Sequence, residues 1–200
     1  MMGKGQKITG ILLSGGKSKR MGREKGQIRI GNRLLYQFPL KVLEEVCDEI
    51  VISTCKDFSP SFGHTLVCDE IQDIGPMGGI YSCLKRSSND LNIVLSYDMP
   101  MINRGLLNKL ITESIDFDIT VPALENGHPE PLCGIYRKGV ADKFHELIRE
   151  DRFAVHQVFP MVKTRMVRIE DTMTFYHPEL FLNVNNAADL AKLPRGFGEH

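Results

Sequence analysis

The chain has 200 residues, enough for one domain with a continuous core, and its Lys+Arg and Asp+Glu counts balance at 25 each. Non-specific binding to DNA, RNA or an anionic membrane is therefore not expected of it. Five cysteines with no CxxC pair, and six histidines with no HxxxH or HExxH spacing, exclude the common zinc and disulfide frameworks; reduced thiols in the cytoplasm fit better.

Taken in chain order, Ile8–Leu13 reads as a strand buried on both faces that ends at Ser14-Gly15-Gly16. This apolar run is too short for a secretory leader, and basic residues rather than a small-residue cleavage site follow it. No apolar run is as long as a membrane span. Residues 34–47 carry Leu35, Phe38, Val42, Leu43 and Val46 on one side of a helix whose regular part is expected to start at Pro39. Strands are predicted over 49–54 and 65–68, and Gly75-Pro76 opens a helix to about Lys85. Asn92–Tyr97 reads as a central strand, and Asn103 as the cap of a helix ending near Ser114. Two further strands, 118–124 and 132–137, precede a helix over 140–149. A short helix at 153–159, a strand at 165–169 and a terminal helix at 187–193 complete the chain.

This alternation predicts a single α/β domain, a three-layer structure with a mostly parallel mixed sheet and helices on both faces. Ligands of such sheets lie beyond the carboxyl ends of the strands. Those ends carry Ser14-Gly15-Gly16, Ser53-Thr54, Asp69 and Asp98.

The first of these ends runs into a basic segment. Lys17, Lys19, Arg20, Arg23, Lys25, Arg29 and Arg33 stand against Glu24 alone between positions 17 and 33. A charge run by itself is usually a solvated face, and a Gly-Gly after a strand usually a tight turn. Joined, they give backbone N–H groups free to approach phosphate oxygens, with cations beside them. The spacing is not that of a Walker A loop, because Gly10 lies inside the strand and Lys17-Ser18 is out of register.

The segment Leu13-Ser-Gly-Gly-Lys-Ser-Lys-Arg-Met-Gly-Arg-Glu-Lys25-Gly resembles the LAGGxSxRMGxDKG signature of molybdenum cofactor guanylyltransferases and their nucleotidyltransferase relatives. It departs from it at Ser14 and Glu24. The resemblance implies a Rossmann-like nucleotidyltransferase fold, with a GTP-binding half over about 8–100 and an acceptor-binding half over about 101–193. It further implies that Leu13, Ser14, Gly15 and Gly16 lie along the nucleotide, that Lys25 contacts phosphate and that Arg20 neutralises the departing pyrophosphate.

Asp98, in the context strand-Asp-Met-Pro100, matches the family's metal-binding Asp and is the expected Mg²⁺ ligand. Asp69 and Gly78, the latter in Gly75-Pro-Met-Gly-Gly79, match positions along the nucleotide, as does the place of Ser53, where the family more often has Asn, and Gly78 and Gly79 are expected to leave room for a ribose or base. His128-Pro-Glu-Pro-Leu-Cys-Gly-Ile-Tyr136 and Asn183-Val-Asn185-Asn186 resemble the acceptor elements. Asn183 and Asn185 would hold molybdopterin, because an amide both donates and accepts, and Arg152 its phosphate. Asn186 reads equally as a helix cap.

The activity implied is transfer of GMP from GTP to molybdenum-bearing molybdopterin. Its rivals are a cytidylyl transfer to molybdopterin, transfer to a sugar or polyol phosphate, and a non-catalytic nucleotide-binding domain. The partners implied are small-molecule substrates, with transient contacts to proteins that deliver or accept the molybdenum cofactor.

Overall fold

The structure is a computed structural model that describes residues 5–14, 28–54, 63–124 and 127–198. Seven strands form one sheet: β1 (Ile8–Leu13), β4 (Glu49–Thr54), β5 (Thr65–Cys68), β6 (Leu91–Ser96), β7 (Ile119–Ala123), β8 (Cys133–Arg137) and β9 (Thr164–Arg168). Their order is β5-β4-β1-β6-β8-β7-β9. All run parallel except β8, which lies antiparallel to both β6 and β7. The mostly parallel mixed sheet expected from the sequence is therefore the sheet observed.

The central strands are buried and mostly apolar because both faces are covered. Along β1, Ile11 and Leu13 face one layer and Leu12 the other. The first layer holds α2 (Pro76–Arg86) and α4 (Val140–Arg149), which contribute Met77, Ile80, Leu84, Phe144 and Leu147. The second holds α1 (Gln37–Glu44) and α3 (Arg104–Glu113), with Leu40, Leu43, Leu106 and Leu110. A third, smaller cluster gathers around Ile30, Leu35 and Val184. Among the described residues no helix is long and apolar enough to cross a membrane.

Several boundaries differ from the sequence reading. Helix α1 begins at Gln37, two residues before Pro39, which occupies the first turn where its missing N–H still costs no helical bond. The short helix expected at 153–159 is a 3₁₀ helix over Val155–Met161. The terminal helix α5 stops at Leu190 rather than 193, and Asn186 caps it by accepting from the N–H groups of Ala188 and Asp189. Asn103 likewise caps α3 through Leu106 N–H. A two-stranded hairpin, β2 (Arg29–Ile30) with β3 (Arg33–Leu34), turns at Gly31-Asn32 with Gly31 at φ 58°. That glycine-asparagine pair is a hairpin signal the sequence reading passed over.

At the amino edge of the sheet a polar knot ties three segments together. Thr9 Oγ1 donates to Glu49 Oε2 at 2.6 Å, and Ser88 donates to the same carboxylate from both its backbone N–H and its hydroxyl. Burial alone would raise the Glu49 pKa, but these hydrogen bonds outweigh it and hold the carboxyl below its usual range. Glu49 thus contributes stability that is fully present above the ordinary carboxylate pKa and lost as pH falls through its lowered folded value. The stability difference between wild type and Glu49→Gln should therefore be largest near neutrality and shrink on acidification, as read by urea unfolding at a series of pH values.

Close packing also makes a definite demand at Gly134 in β8. A Cβ there would lie 2.7 Å from Val121 Cγ1 and 2.9 Å from the Thr120 carbonyl oxygen. Gly134→Ala should destabilise the fold by about 1–3 kcal/mol, the usual cost of overpacking. Gly139→Ala, where a Cβ meets nothing within 4 Å, should be neutral or slightly stabilising in the same urea titration.

Candidate active site

The chain leaves β1 toward β4 and β5, then returns through α2 to place β6 on the other side of β1. The carboxyl edge between these halves is where open α/β sheets bind ligands. Register brings Leu13 level with Ser53 on one side and with Ser96 on the other.

Hydrogen bonds continue this alignment past the strand ends. Ser14 N–H donates to the Ser53 carbonyl at 3.1 Å, and the Ser14 hydroxyl donates to the same oxygen. Ser53, 1% exposed, donates its own hydroxyl to Asp69 Oδ1 at 2.9 Å. On the other side Tyr97 N–H donates to the Leu13 carbonyl at 3.1 Å, and Val184 N–H donates to the Asp98 carbonyl at 2.8 Å. One string thus joins Asp69, Ser53, Ser14, Leu13 and Asp98 to the segment that carries Asn183 and Asn185.

Asp69 ends β5 in a half-buried position where burial raises its pKa, opposed by the hydrogen bond from Ser53. Above it the first turn of α2 sits down on the strand ends because two glycines allow it. A Cβ on Gly79 would be 2.6 Å from Ser53 Oγ, and one on Gly78 would be 2.7 Å from the Ile71 carbonyl oxygen. In the direction of each Cβ the room these glycines make is filled by the chain itself. Ser82 Oγ, one turn further on, accepts from Glu70 N–H and pins the loop after Asp69.

Asp98 lies two residues past the end of β6. Ser96 Oγ donates to its Oδ1 at 2.6 Å, and the hydrogen bonds among the described residues leave Oδ2 without a partner. Because β8 runs antiparallel to β6, the loop before β8 returns to this same edge. It carries Glu130, whose pKa is raised by burial and by the charge of Asp98, against the hydrogen bond it accepts from Leu132 N–H. Tyr97 is pushed up to about 12, first by burial and then by Asp98, and stays a neutral phenol. Among the described residues no three His, Cys, Asp or Glu side chains converge as a metal cage.

Of the residues singled out in the sequence, Leu13, Ser14, Ser53, Asp69, Gly78, Asp98, Asn183 and Asn185 all lie along this edge. Gly15, Gly16, Arg20 and Lys25 fall outside the described residues. Arg152 is exposed and pairs with Glu150 at 3.1 Å, and none of its described partners belongs to the site. Sequence reasoning missed Ser96 and Glu130. A serine two residues before a strand-end Asp, and the acid inside the His128-Pro-Glu-Pro element, were the signals available. Two clefts, of about 710 Å³ beside His128, His156 and Met166 and about 570 Å³ beside Arg33, Lys41 and Phe197, have none of these candidate residues in their walls.

Comparisons with known proteins agree with this architecture. The family model of the MobA-like NTP transferase domain matches residues 10–160. The "Probable molybdenum cofactor guanylyltransferase" of Pelotomaculum thermopropionicum is 32% identical, over 92% of this chain and 90% of that protein. Its namesake in Thermococcus kodakarensis is 33% identical, over 93% and 94%. The crystal structure of molybdopterin-guanine dinucleotide biosynthesis protein A from Archaeoglobus fulgidus superposes with a TM-score of 0.77 at 21% identity, covering 92% of this chain and 95% of that one. A cytidylyltransferase acting on 2-C-methyl-D-erythritol 4-phosphate, from Thermus thermophilus, shares the fold with a TM-score of 0.66 at 15% identity, over 91% and 95%. A match that runs from Gly10 inside β1 to Pro160, with relatives this similar along nearly the whole chain, leaves one assignment: the chain belongs to the MobA-like NTP transferase family and is a nucleotidyltransferase.

Proposed function

We propose that the protein transfers GMP from GTP to the terminal phosphate of molybdenum-bearing molybdopterin, releasing pyrophosphate. The observation that carries this reading is the hydrogen-bonded edge, which sets Ser14, Ser53 and Asp69 beside Asp98 and the Asn183–Asn185 segment. Relatives above 30% identity that are named for that reaction support the choice of substrates.

An oxygen of the acceptor phosphate forms the new bond to the α-phosphorus of GTP, and the bond from that phosphorus to the bridging oxygen of pyrophosphate breaks. A phosphate monoester is already ionised near neutral pH, so no Ser, Cys or His nucleophile is needed. What remains for the protein is positioning and charge neutralisation.

Ser14 and the half-buried Asp69–Ser53 pair form a fixed polar wall for the nucleotide. With the Ser53 hydroxyl committed to Asp69, base selection falls on backbone groups near Ser14. Lys25 and Arg20 are assigned to the phosphates on the resemblance of their segment to the family signature. Asn183 and Asn185 flank buried Val184 and offer amides to the pterin.

Asp98 fits Mg²⁺: one carboxylate oxygen is oriented by Ser96 and the hydrogen bonds among the described residues leave the other for a ligand, as suits an ion held by one or two carboxylates plus substrate phosphates. When bound, Mg²⁺ would supply charge neutralisation on the triphosphate.

The test is pyrophosphate release with Mg²⁺, isolated molybdenum cofactor and GTP, CTP, ATP or UTP in parallel. Turnover with GTP alone is expected; turnover with CTP instead would overturn the guanylyl reading while keeping the fold and chemistry. Asp98→Ala should abolish Mg²⁺-dependent turnover without shifting the urea midpoint, and Ser96→Ala should cost about tenfold, because it only frees Asp98 to rotate. Lys25→Ala should lower kcat by roughly 10²–10³, the scale of losing one preorganised charge-stabilising contact. Near wild-type rates in Asp98→Ala or Lys25→Ala would move the metal or the phosphates elsewhere.

A further inference from the structure

The third hydrophobic cluster has its own buried members and meets the second core of the sheet through Tyr97. Its buried members are Ile30, Leu35 and Val184, and Tyr97, Phe38 and Phe197 pack around them. Two of these six touch Asp98 through the chain. Tyr97 precedes it, and Val184, itself 0% exposed, donates its N–H to the Asp98 carbonyl at 2.8 Å. The main chain of Asp98 is therefore held between two residues whose side chains share one small core.

The C-terminal segment closes that core from outside. Phe197 stacks on Phe38 with ring centroids 4.9 Å apart and planes 29° from parallel. Gly198, at φ +86°, lies so close that a Cβ there would meet Ile30 Cγ2 at 2.8 Å and the Ile30 carbonyl oxygen at 3.0 Å. The tail thus has a fitted seat, made by a glycine in the left-handed region and an aromatic stack, and the far wall of that seat is the strut under Asp98.

We propose that Phe197 is a positioning residue: by closing the Ile30–Val184 core it fixes the main chain of Asp98 relative to Asn183 and Asn185. This rests on the roles given above to Asp98 and the two asparagines. The sheet has two large cores of its own, so loss of the stack loosens the strut before it loosens the fold. Small displacements of groups that must meet in one geometry cost rate steeply.

The experiment compares Phe197→Ala and Phe197→Leu with wild type in the full chain. The first readout needs no substrate: amide hydrogen exchange at Val184, against Val51 and Val94 in the central strands as internal references. In Phe197→Ala, exchange at Val184 should rise about tenfold while the references stay unchanged. Leucine restores the apolar contact and should return most of the protection. The second readout is kinetic: kcat should fall about tenfold in Phe197→Ala, with a higher Mg²⁺ concentration at half-maximal rate and a small change in KM for GTP. Unchanged Val184 exchange would overturn the proposal. So would raised exchange with wild-type kcat and Mg²⁺ dependence, since the tail would then only seal the surface. If Phe197→Ala fails to fold, the same two readouts on Phe197→Leu decide, with smaller shifts in the same directions expected and no shift overturning it. Absence of turnover in the wild type would refute the proposed reaction alone, and Val184 exchange would still decide whether Phe197 holds the Asp98 strut.

Discussion

The carboxyl end of β1 is the point on which the candidate site depends. Leu13 and Ser14 close hydrogen bonds to both sides, Ser14 N–H to Ser53 and the Leu13 carbonyl to Tyr97 N–H. Strand pairing thereby continues one residue beyond the regular sheet in each direction. A ladder is rigid because each rung restrains its neighbours. Side chains at the tips of adjacent parallel strands inherit that rigidity without a cross-link of their own. The polar groups a nucleotide would meet (Ser14, Ser53, Asp69 and Asp98) are all within one or two residues of a rung.

The energetics favour such a frame. Central strands buried on both faces leave the edge as the place where polar groups can stand without being stranded in apolar surroundings. Even there they are paired before any ligand arrives: Ser53 with Asp69, Ser96 with Asp98, Ser82 with Glu70 N–H. A carboxylate whose one oxygen is already committed has fewer orientations to lose on binding, which is how preorganisation lowers the cost of recognition. Burial raises the pKa of Asp69 and Glu130, whereas at the opposite edge the hydrogen bonds around Glu49 reverse the same effect. The two edges of one sheet thus treat their carboxylates oppositely, burial prevailing at the carboxyl edge and hydrogen bonding at the amino edge.

Much of this was legible in the sequence for identifiable reasons. Runs such as Ile8–Leu13 and Asn92–Ser96 are apolar on both faces, and the first polar residues after them mark the strand ends, so Ser14, Asp69 and Asp98 could be placed before any coordinates. Caps at Asn103 and Asn186 were readable because capping is local. Strand direction was not, because a run like Cys133–Arg137 has the same pattern whichever way it points. Register and the bond from Val184 N–H to the Asp98 carbonyl join residues that chain order alone does not pair. What Gly78 and Gly79 approach was illegible for a related cause. A glycine announces a close approach in the sequence without saying whether chain or ligand makes it.

The reversed direction of β8 has a consequence for how such a site can diversify. In an all-parallel sheet every carboxyl-edge loop follows a strand, so reshaping one also re-aims the helix behind it. Here the stretch between β7 and β8 both leaves and rejoins the sheet at the carboxyl edge, with a bridge between Ala123 and Pro129, and its described residues form no helix. It can lengthen, shorten or change composition while the registers of β6, β7 and β8 stay as they are. The proposed acceptor side of the fold is thereby free to vary at little cost to stability, while the proposed nucleotide side, tied to β1 and its neighbours, stays fixed.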